Sequence, residues 1–317
     1  MCKGAYNLDT LAQLRKAAPV KGYSPTQISF QKRARAKAIS DQILYQLIDL
    51  DSPLHKSYWN AWHCSRTILQ DGSELKTQYC NQRFCLVCNR IRTAKLVNGY
   101  REAIDQMQNP YFITLTVRNV KGNQLKAEIK AMQKTFRRIL DVMRYRNRPL
   151  VGIRKVEVTY NPERKDYHPH FHCIVDGCYE SFTLISEWLK RYGDRSRIDG
   201  QDIRYANKDT AMELFKYFTK IVGKGQAYQP EAMDIAFRAM KGKRVFQPFG
   251  GIKKQSEDIE VQDQKQCDWI PPQYEIWYFE KAGEYTDWYN SSGEPLSDVK
   301  LTENTMRFIS ELQKVQT

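Results

Sequence analysis

No run of roughly 18 or more apolar residues occurs in this 317-residue sequence, so no membrane-spanning helix is expected. The opening stretch, MCKGAYNLDTLAQLRK, lacks the apolar core of an export signal, and the expected location is the cytoplasm. Internal repeats and low-complexity tracts are also missing. With 41% hydrophobic and 27% charged residues, the chain reads as soluble and globular. Acidic side chains are in deficit, 36 against 50 Lys and Arg, for a net charge of +14. The deficit is uneven. Residues 255–317 hold 13 acidic and 5 basic side chains, which leaves 23 acidic and 45 basic in residues 1–254, a net +22. A basic body with an acidic tail fits a polyanionic partner, and nucleic acid is the one it suits best.

There are eight cysteines. Without an export signal they do not suggest a disulfide framework. Cys64, Cys80, Cys85 and Cys88 are separated by 15, 4 and 2 residues. A C-x₂-C pair with two upstream thiolates fits tetrahedral structural Zn²⁺, with His63 as a candidate substitute ligand. No βαβ pattern surrounds the pair, which argues against thioredoxin-like redox chemistry.

Residues 26–50 read as a basic amphipathic helix whose KRARAK run forms a solvated face. Residues 93–108 read as a helix. YFITLTV (111–117) alternates and is rich in aromatic and β-branched residues, the pattern of a strand. Helical periodicity follows over 124–145. VGIRKVEVTY (151–160) and HPHFHCIV (168–175), joined by the turn residues NPERKD, predict a β-hairpin. SFTLISEWLKRY (181–192) predicts a helix, QDIRYAN a short strand, and 208–225 another helix. The order predicts an α+β fold, with helices on one or both faces of a mostly antiparallel sheet. Composition divides the chain into a basic helical region (1–59), a cysteine-rich segment (60–108), a central α+β domain (109–254) and an acidic, Trp- and Tyr-rich region (255–317).

His168, His170 and His172 are three of the five histidines and lie at i, i+2 and i+4 of one predicted strand. Alternation points all three to one face, with neighbours about 7 Å apart along the strand. Two imidazoles on that face can converge on one divalent ion. Glu157, on the preceding strand, adds a carboxylate, and the mixed set suits Mg²⁺ or Mn²⁺, with manganese slightly favoured. Phe171, Cys173 and Val175 should face the core. Glu213, Tyr217 and Lys220 share one face of the 208–225 helix. A tyrosine beside a metal site is a sensible nucleophile toward a phosphodiester, and Lys220 could stabilise its phenolate.

Residues 111–251 resemble the replication initiators of small rolling-circle plasmids, within the HUH endonuclease superfamily. FITLTV (112–117) resembles the first motif of that family. HPHFHCIV resembles its metal motif, with His170 and His172 as the paired ligands and no role for His168. KVEVTYN (155–161) resembles the strand that supplies the acidic ligand, here Glu157. ELFKYFTK (213–220) resembles the nucleophile motif of the single-tyrosine type, with Tyr217 as the nicking residue and Glu213 four positions before it. KGKRVFQPFGG (241–251) resembles a segment downstream, and the cysteine pattern has a counterpart before the first motif.

The resemblance implies the HUH fold, a five-stranded antiparallel sheet flanked by helices, here with an N-terminal zinc-binding segment. It further implies nicking of single-stranded or hairpin origin DNA, a 5′-phosphotyrosine link and a 3′-hydroxyl primer. Glu213 would serve as general base for a closing hydrolysis. Host helicase and polymerase would be partners, and a homodimer is compatible with this reading. Two alternatives stay open at this point: an HUH relaxase or single-strand transposase, and a non-catalytic zinc-containing nucleic-acid-binding regulator.

Overall fold

The computed structural model describes residues 25–72, 74–207, 214, 229–254, 274–282 and 284–313. The chain divides into two compact units. One holds the described residues of Met1–Arg92, Lys224–Glu231 and Ile259–Thr317, the other those of Thr93–Gly223 and Ala232–Asp258.

The chain enters through helix α1 (Pro25–Ile48) and the short α2 (His55–His63), followed by the hairpin strands β1 (Thr67–Asp71) and β2 (Glu74–Thr77). The KRARAK run is not a solvated face. Ala34, Ala36 and Lys37 are buried, and Lys37 is fully enclosed with its ammonium 2.5 Å from Asp41. A buried lysine is tolerated because that carboxylate, one helical turn on, carries the opposite charge. Helix α3 (Leu86–Asp105) begins seven residues before the position expected from periodicity (93–86 = 7), and the unit division falls within it after Arg92. Its first turn contains Cys88, so the cysteine segment and the helix are one element.

The second unit is built on a five-stranded antiparallel sheet. Strand β3 (Pro110–Thr116) leads through α4 (Gly122–Tyr145) to the long hairpin of β4 (Gly152–Asn161) and β5 (Asp166–Asp176). Then follow α5 (Cys178–Tyr192), β6 (Asp202–Tyr205), α6 (Pro230–Met240) and β7 (Phe246–Phe249). The strand order is β6-β3-β5-β4-β7, which puts the histidine-bearing strand in the centre. The hairpin turns where the sequence supplies turn residues. Asn161 Oδ1 accepts from the Arg164 amide at 3.0 Å, and Lys165 adopts φ of 49°. Gly152 permits a close approach that no other residue could make, since a Cβ there would lie 2.2 Å from the Ile174 carbonyl oxygen.

The two faces of this sheet differ. On one, α4 lays down Leu125, Ile129, Met132, Phe136, Ile139 and Met143, spaced three or four apart and all buried. Phe171 meets Phe136 and Trp188 there, each with ring centroids 5.6 Å apart. Phe171, Cys173 and Val175 point to this face, as alternation predicts. The other face begins apolar: Phe112, Ile153 and Ile174 pack with Val97, Tyr100 and Ile104 of α3, Ala206 and Leu214. Further along the same strands it turns polar.

The chain ends in β8 (Glu275–Ala282), β9 (Tyr285–Tyr289) and α7 (Glu303–Gln313). These belong to the first unit, where the sheet order is β2-β1-β8-β9 and Thr67 lies opposite Tyr278. Phe30 of α1 meets Trp288 of β9 edge-on at 6.0 Å. The basic helix, the four clustered cysteines and the described part of the acidic region therefore share one unit, joined by the pairing of β1 with β8. Composition cannot see strand pairing between distant segments. The helix expected over 208–225 lies outside the described residues except for Leu214, which is helical and buried.

Candidate metal centres

The polar stretch of the second unit's sheet is built by register. Glu157 pairs with His170, Lys155 with His172, and Thr114 with His172 from the other side. Residues directly opposite in an antiparallel ladder share a face, so β3, β4 and β5 project these groups together. Donor atoms of Glu157, His170 and His172 all lie within 4.8 Å of one another, and the three could hold a metal ion.

The hydrogen bonds around the site favour a cation. His170 Nδ1 lies 3.0 Å from the His168 carbonyl oxygen. Only an N–H can pair with a carbonyl, so in the neutral ring Nδ1 holds the proton and Nε2 presents a lone pair. That Nε2 stands 3.6 Å from Glu157 Oε2, and His172 Nε2 stands 3.3 Å from the same oxygen. Glu157 Oε2 is buried and has no hydrogen-bond partner. A carboxylate oxygen facing an imidazole lone pair is unfavourable in a dry site unless a positive charge sits between them. Glu157 Oε1 is satisfied by the buried Lys155 ammonium. Burial alone would push the Glu157 carboxyl up, yet the Lys155 ammonium beside it holds it well below the usual carboxylate range. Burial likewise lowers His172, which favours its neutral, ligand-competent form.

His168 stands apart from the set. Its Nδ1 bonds Asn119 Oδ1 at 2.8 Å, and burial, then the neighbouring His170, lower it to about 4. Lys155, Thr114 and Asn119 were not singled out from sequence. The signal for Lys155 was present, since alternation from Glu157 puts it on the same face, but a lysine in a strand reads as solvated until its burial is known. Tyr217, Glu213 and Lys220 lie outside the described residues. Leu214 packs on this same face of the sheet.

The first unit contains a second group. The sulfurs of Cys64, Cys80, Cys85 and Cys88 also lie mutually within 4.8 Å. Cys64 and Cys88 are 3.4 Å apart and Cys80 and Cys88 3.6 Å, and all four are free thiols. Four sulfurs about 2.3 Å from one tetrahedral ion would be about 3.8 Å apart, so the spacing is close to that of a closed metal site. Backbone amides of Cys80 and Gln82 point at Cys64 and Cys80 sulfur, each at 3.4 Å. Hydrogen bonds from Cys64, then Cys80 and Cys88, hold the Cys85 thiol well below its ordinary range, while sharing with Cys80 pushes Cys64 up. Four thiols this close, three of them buried, cannot all ionise unaided, and a divalent cation removes the conflict. His63 is exposed and outside the four-sulfur group.

Comparison with known proteins adds an independent finding. A family model described as a replication protein, Rep_1, matches residues 73–291. The chain is similar to a "Protein rep" of Bacillus amyloliquefaciens, 28% identical over 217 residues, covering 57% of this chain and 64% of the relative. It is 33% identical over 133 residues to a "Protein rep" of a Bacillus species, covering 39% and 43%. It is 33% identical over 162 residues to a "Protein rep" of Staphylococcus aureus, covering 46% of this chain and 71% of the relative. The match thus spans less than two thirds of the first two relatives. No solved structure matches the chain.

Proposed function

Since the chain belongs to the Rep_1 family of replication proteins, we propose that it is a plasmid replication initiator of the HUH type that nicks one strand of origin DNA. The observation that carries this reading is the set of buried Glu157, buried His170 and half-buried His172 on the central hairpin, with its unpartnered carboxylate oxygen. Oxygen and imidazole donors suit Mg²⁺ or Mn²⁺. Held there, the ion would supply Lewis acidity to the scissile phosphodiester. Lys155 keeps Glu157 ionised, and the Nδ1 bond of His170 fixes the direction of its ring.

Tyr217 is the proposed nucleophile. Its phenolic oxygen bonds to phosphorus as the bond from phosphorus to the 3′ oxygen breaks. The phenolic proton passes to solvent, and the departing oxygen takes up a proton to become the 3′-hydroxyl primer. The product is a 5′-phosphotyrosine that conserves the bond energy. Lys220 would favour the phenolate by charge. Leu214, three residues before Tyr217 and packed on the metal-bearing face, supports this assignment. The four cysteines would hold structural Zn²⁺. The DNA would be a single-stranded or hairpin origin, with host helicase and polymerase acting after the nick in the cytoplasm, and a homodimer as a compatible assembly.

The test is incubation with labelled single-stranded origin DNA and Mn²⁺, scored for a protein–DNA band that survives denaturing electrophoresis. Wild type should form it. Tyr217→Phe should bind DNA without forming it, and His170→Ala and His172→Ala should each abolish it. Wild-type protein that binds DNA but never forms the band would leave a non-catalytic regulator as the better reading.

A further inference from the structure

Helix α2 carries an aromatic ledge outside the metal centres. Trp59, Trp62 and His63 sit at i, i+3 and i+4, and so on one face. The two indoles stack at 5.6 Å with 21° between their planes, and His63 meets both edge-on at 4.9 and 4.8 Å. The Arg66 guanidinium lies 3.6 Å from the centre of the Trp62 ring. The stack is fixed from behind. Arg66 bonds Asp41 at 2.6 Å, the Trp62 carbonyl accepts from the buried Lys37, and Tyr58 and Ala61 of the same helix are buried. The helix ends at Cys64, a member of the four-sulfur group.

Trp59, the outer member, remains 47% exposed. A large indole left in water on a rigid support loses little entropy on binding a flat partner. The other exposed positions of α2 are His55, Lys56, Asn60 and His63, with no aliphatic and no acidic side chain among them. Aromatic faces interleaved with cations and amides suit stacked bases on a phosphate backbone. On α2 itself Lys56 is the exposed cation near the ring, and the Arg66 guanidinium lies against the stack.

We propose that Trp59, backed by Trp62 and Arg66, is a stacking platform for a base of single-stranded DNA, in a unit separate from the one that holds Glu157, His170 and His172. The inference rests on the reading of DNA as partner and assigns a second contact surface for it.

The test uses the full chain, a fluorescein-labelled oligothymidylate and anisotropy titrations of wild type, Trp59→Ala and Trp59→Phe, with melting curves for each. Removing one stacked base contact should weaken binding roughly ten- to hundred-fold in Trp59→Ala. Trp59→Phe, which keeps a π-face, should recover most of the loss. Melting temperatures should stay close to wild type because the ring is half in solvent. Photo-crosslinking through 5-iodouracil should map to the peptide containing Trp59. Wild type failing to bind the oligonucleotide would sink the DNA reading itself. Wild type binding, with Trp59→Ala binding equally well, would overturn the platform alone. A change in oligomeric state without a change in DNA affinity would also overturn it, by showing a contact between copies of the chain.

Discussion

Lys155 and Glu157, two residues apart on β4, form a buried ion pair that occupies one carboxylate oxygen and leaves the other facing His170 and His172. Lys155 thereby neutralises a charge that the sheet could not otherwise enclose. Removing one partner of a buried pair costs about 3–5 kcal/mol, because the remaining charge is stranded. Lys155→Met should therefore lower the melting temperature of metal-free protein sharply. Adding Mn²⁺ should restore more stability to the variant than to wild type, since the ion takes over the compensation of Glu157. Equal Mn²⁺ stabilisation of both proteins, by scanning fluorimetry, would show that the ion binds elsewhere.

The lowered His168 gives a pH prediction. Its folded value of about 4 lies below the unfolded value near 6.5, so between these the unfolded chain binds a proton that the folded chain does not. Stability is then highest above pH 6.5 and falls as pH drops toward 4. A shift of that size corresponds to roughly 3 kcal/mol, and His172, lowered in the same direction, adds to the slope. Denaturant unfolding of metal-free protein from pH 8 to 4 should show the decline, and His168→Gln should flatten it. An unchanged slope in the variant would assign the acid sensitivity to other groups.

Much of the second unit was legible in the sequence, and the reason is its period. The strands over 110–116, 152–161 and 166–176 alternate or carry β-branched and aromatic residues, and the turn residues between the last two are unmistakable. Once the hairpin is drawn, Glu157 and His170 must share a face. The first unit was not legible in this way. Its sheet joins β1 to β8 through pairs such as Ile68 with Trp277, and nothing local in either segment announces the other. The burial of Lys37 and Lys155 was hidden for a related reason, since each depends on a carboxylate placed by the fold.

The cysteine group predicts a stability phenotype. Apparent binding energies of structural zinc are about 10–16 kcal/mol in small zinc peptides, and in a larger unit with its own core the dependence should be smaller. Cys85→Ser and Cys88→Ser should each lower the melting temperature and release zinc, and a strong chelator should reproduce the effect in wild type. Purified protein without zinc by elemental analysis would contradict the assignment.

Binding should also respond steeply to salt, because the basic side chains of a chain of net +14 must displace counterions from phosphates. A footprint of about six phosphate contacts gives a log–log slope near −5 on duplex DNA. A flat response would mean that the basic surface is not the DNA-facing one.

The last prediction concerns how the reaction ends. An initiator with paired tyrosines can complete a round by a second transesterification from the same chain. The motif ELFKYFTK offers Tyr217 alone, so a second cleavage requires another nucleophile, and water is the natural one. Water needs a base within hydrogen-bond reach of it, directly or through one solvent molecule. Glu213 precedes Tyr217 by four residues, one turn of the helix expected there, so the two would address the same phosphate. A carboxylate is ionised at neutral pH, and modest desolvation would strengthen it as a base. The competing explanation is a surface carboxylate paired with a nearby lysine, which would affect neither step. We predict that Glu213→Ala still nicks and still forms the Tyr217 adduct, but fails to hydrolyse at a regenerated origin. On a plasmid carrying two origins it should release far fewer single-stranded circles than wild type, with initial nicking within about threefold of normal, a barrier change under ~1 kcal/mol. If the variant releases circles as efficiently as wild type, the base that ends replication is a different residue.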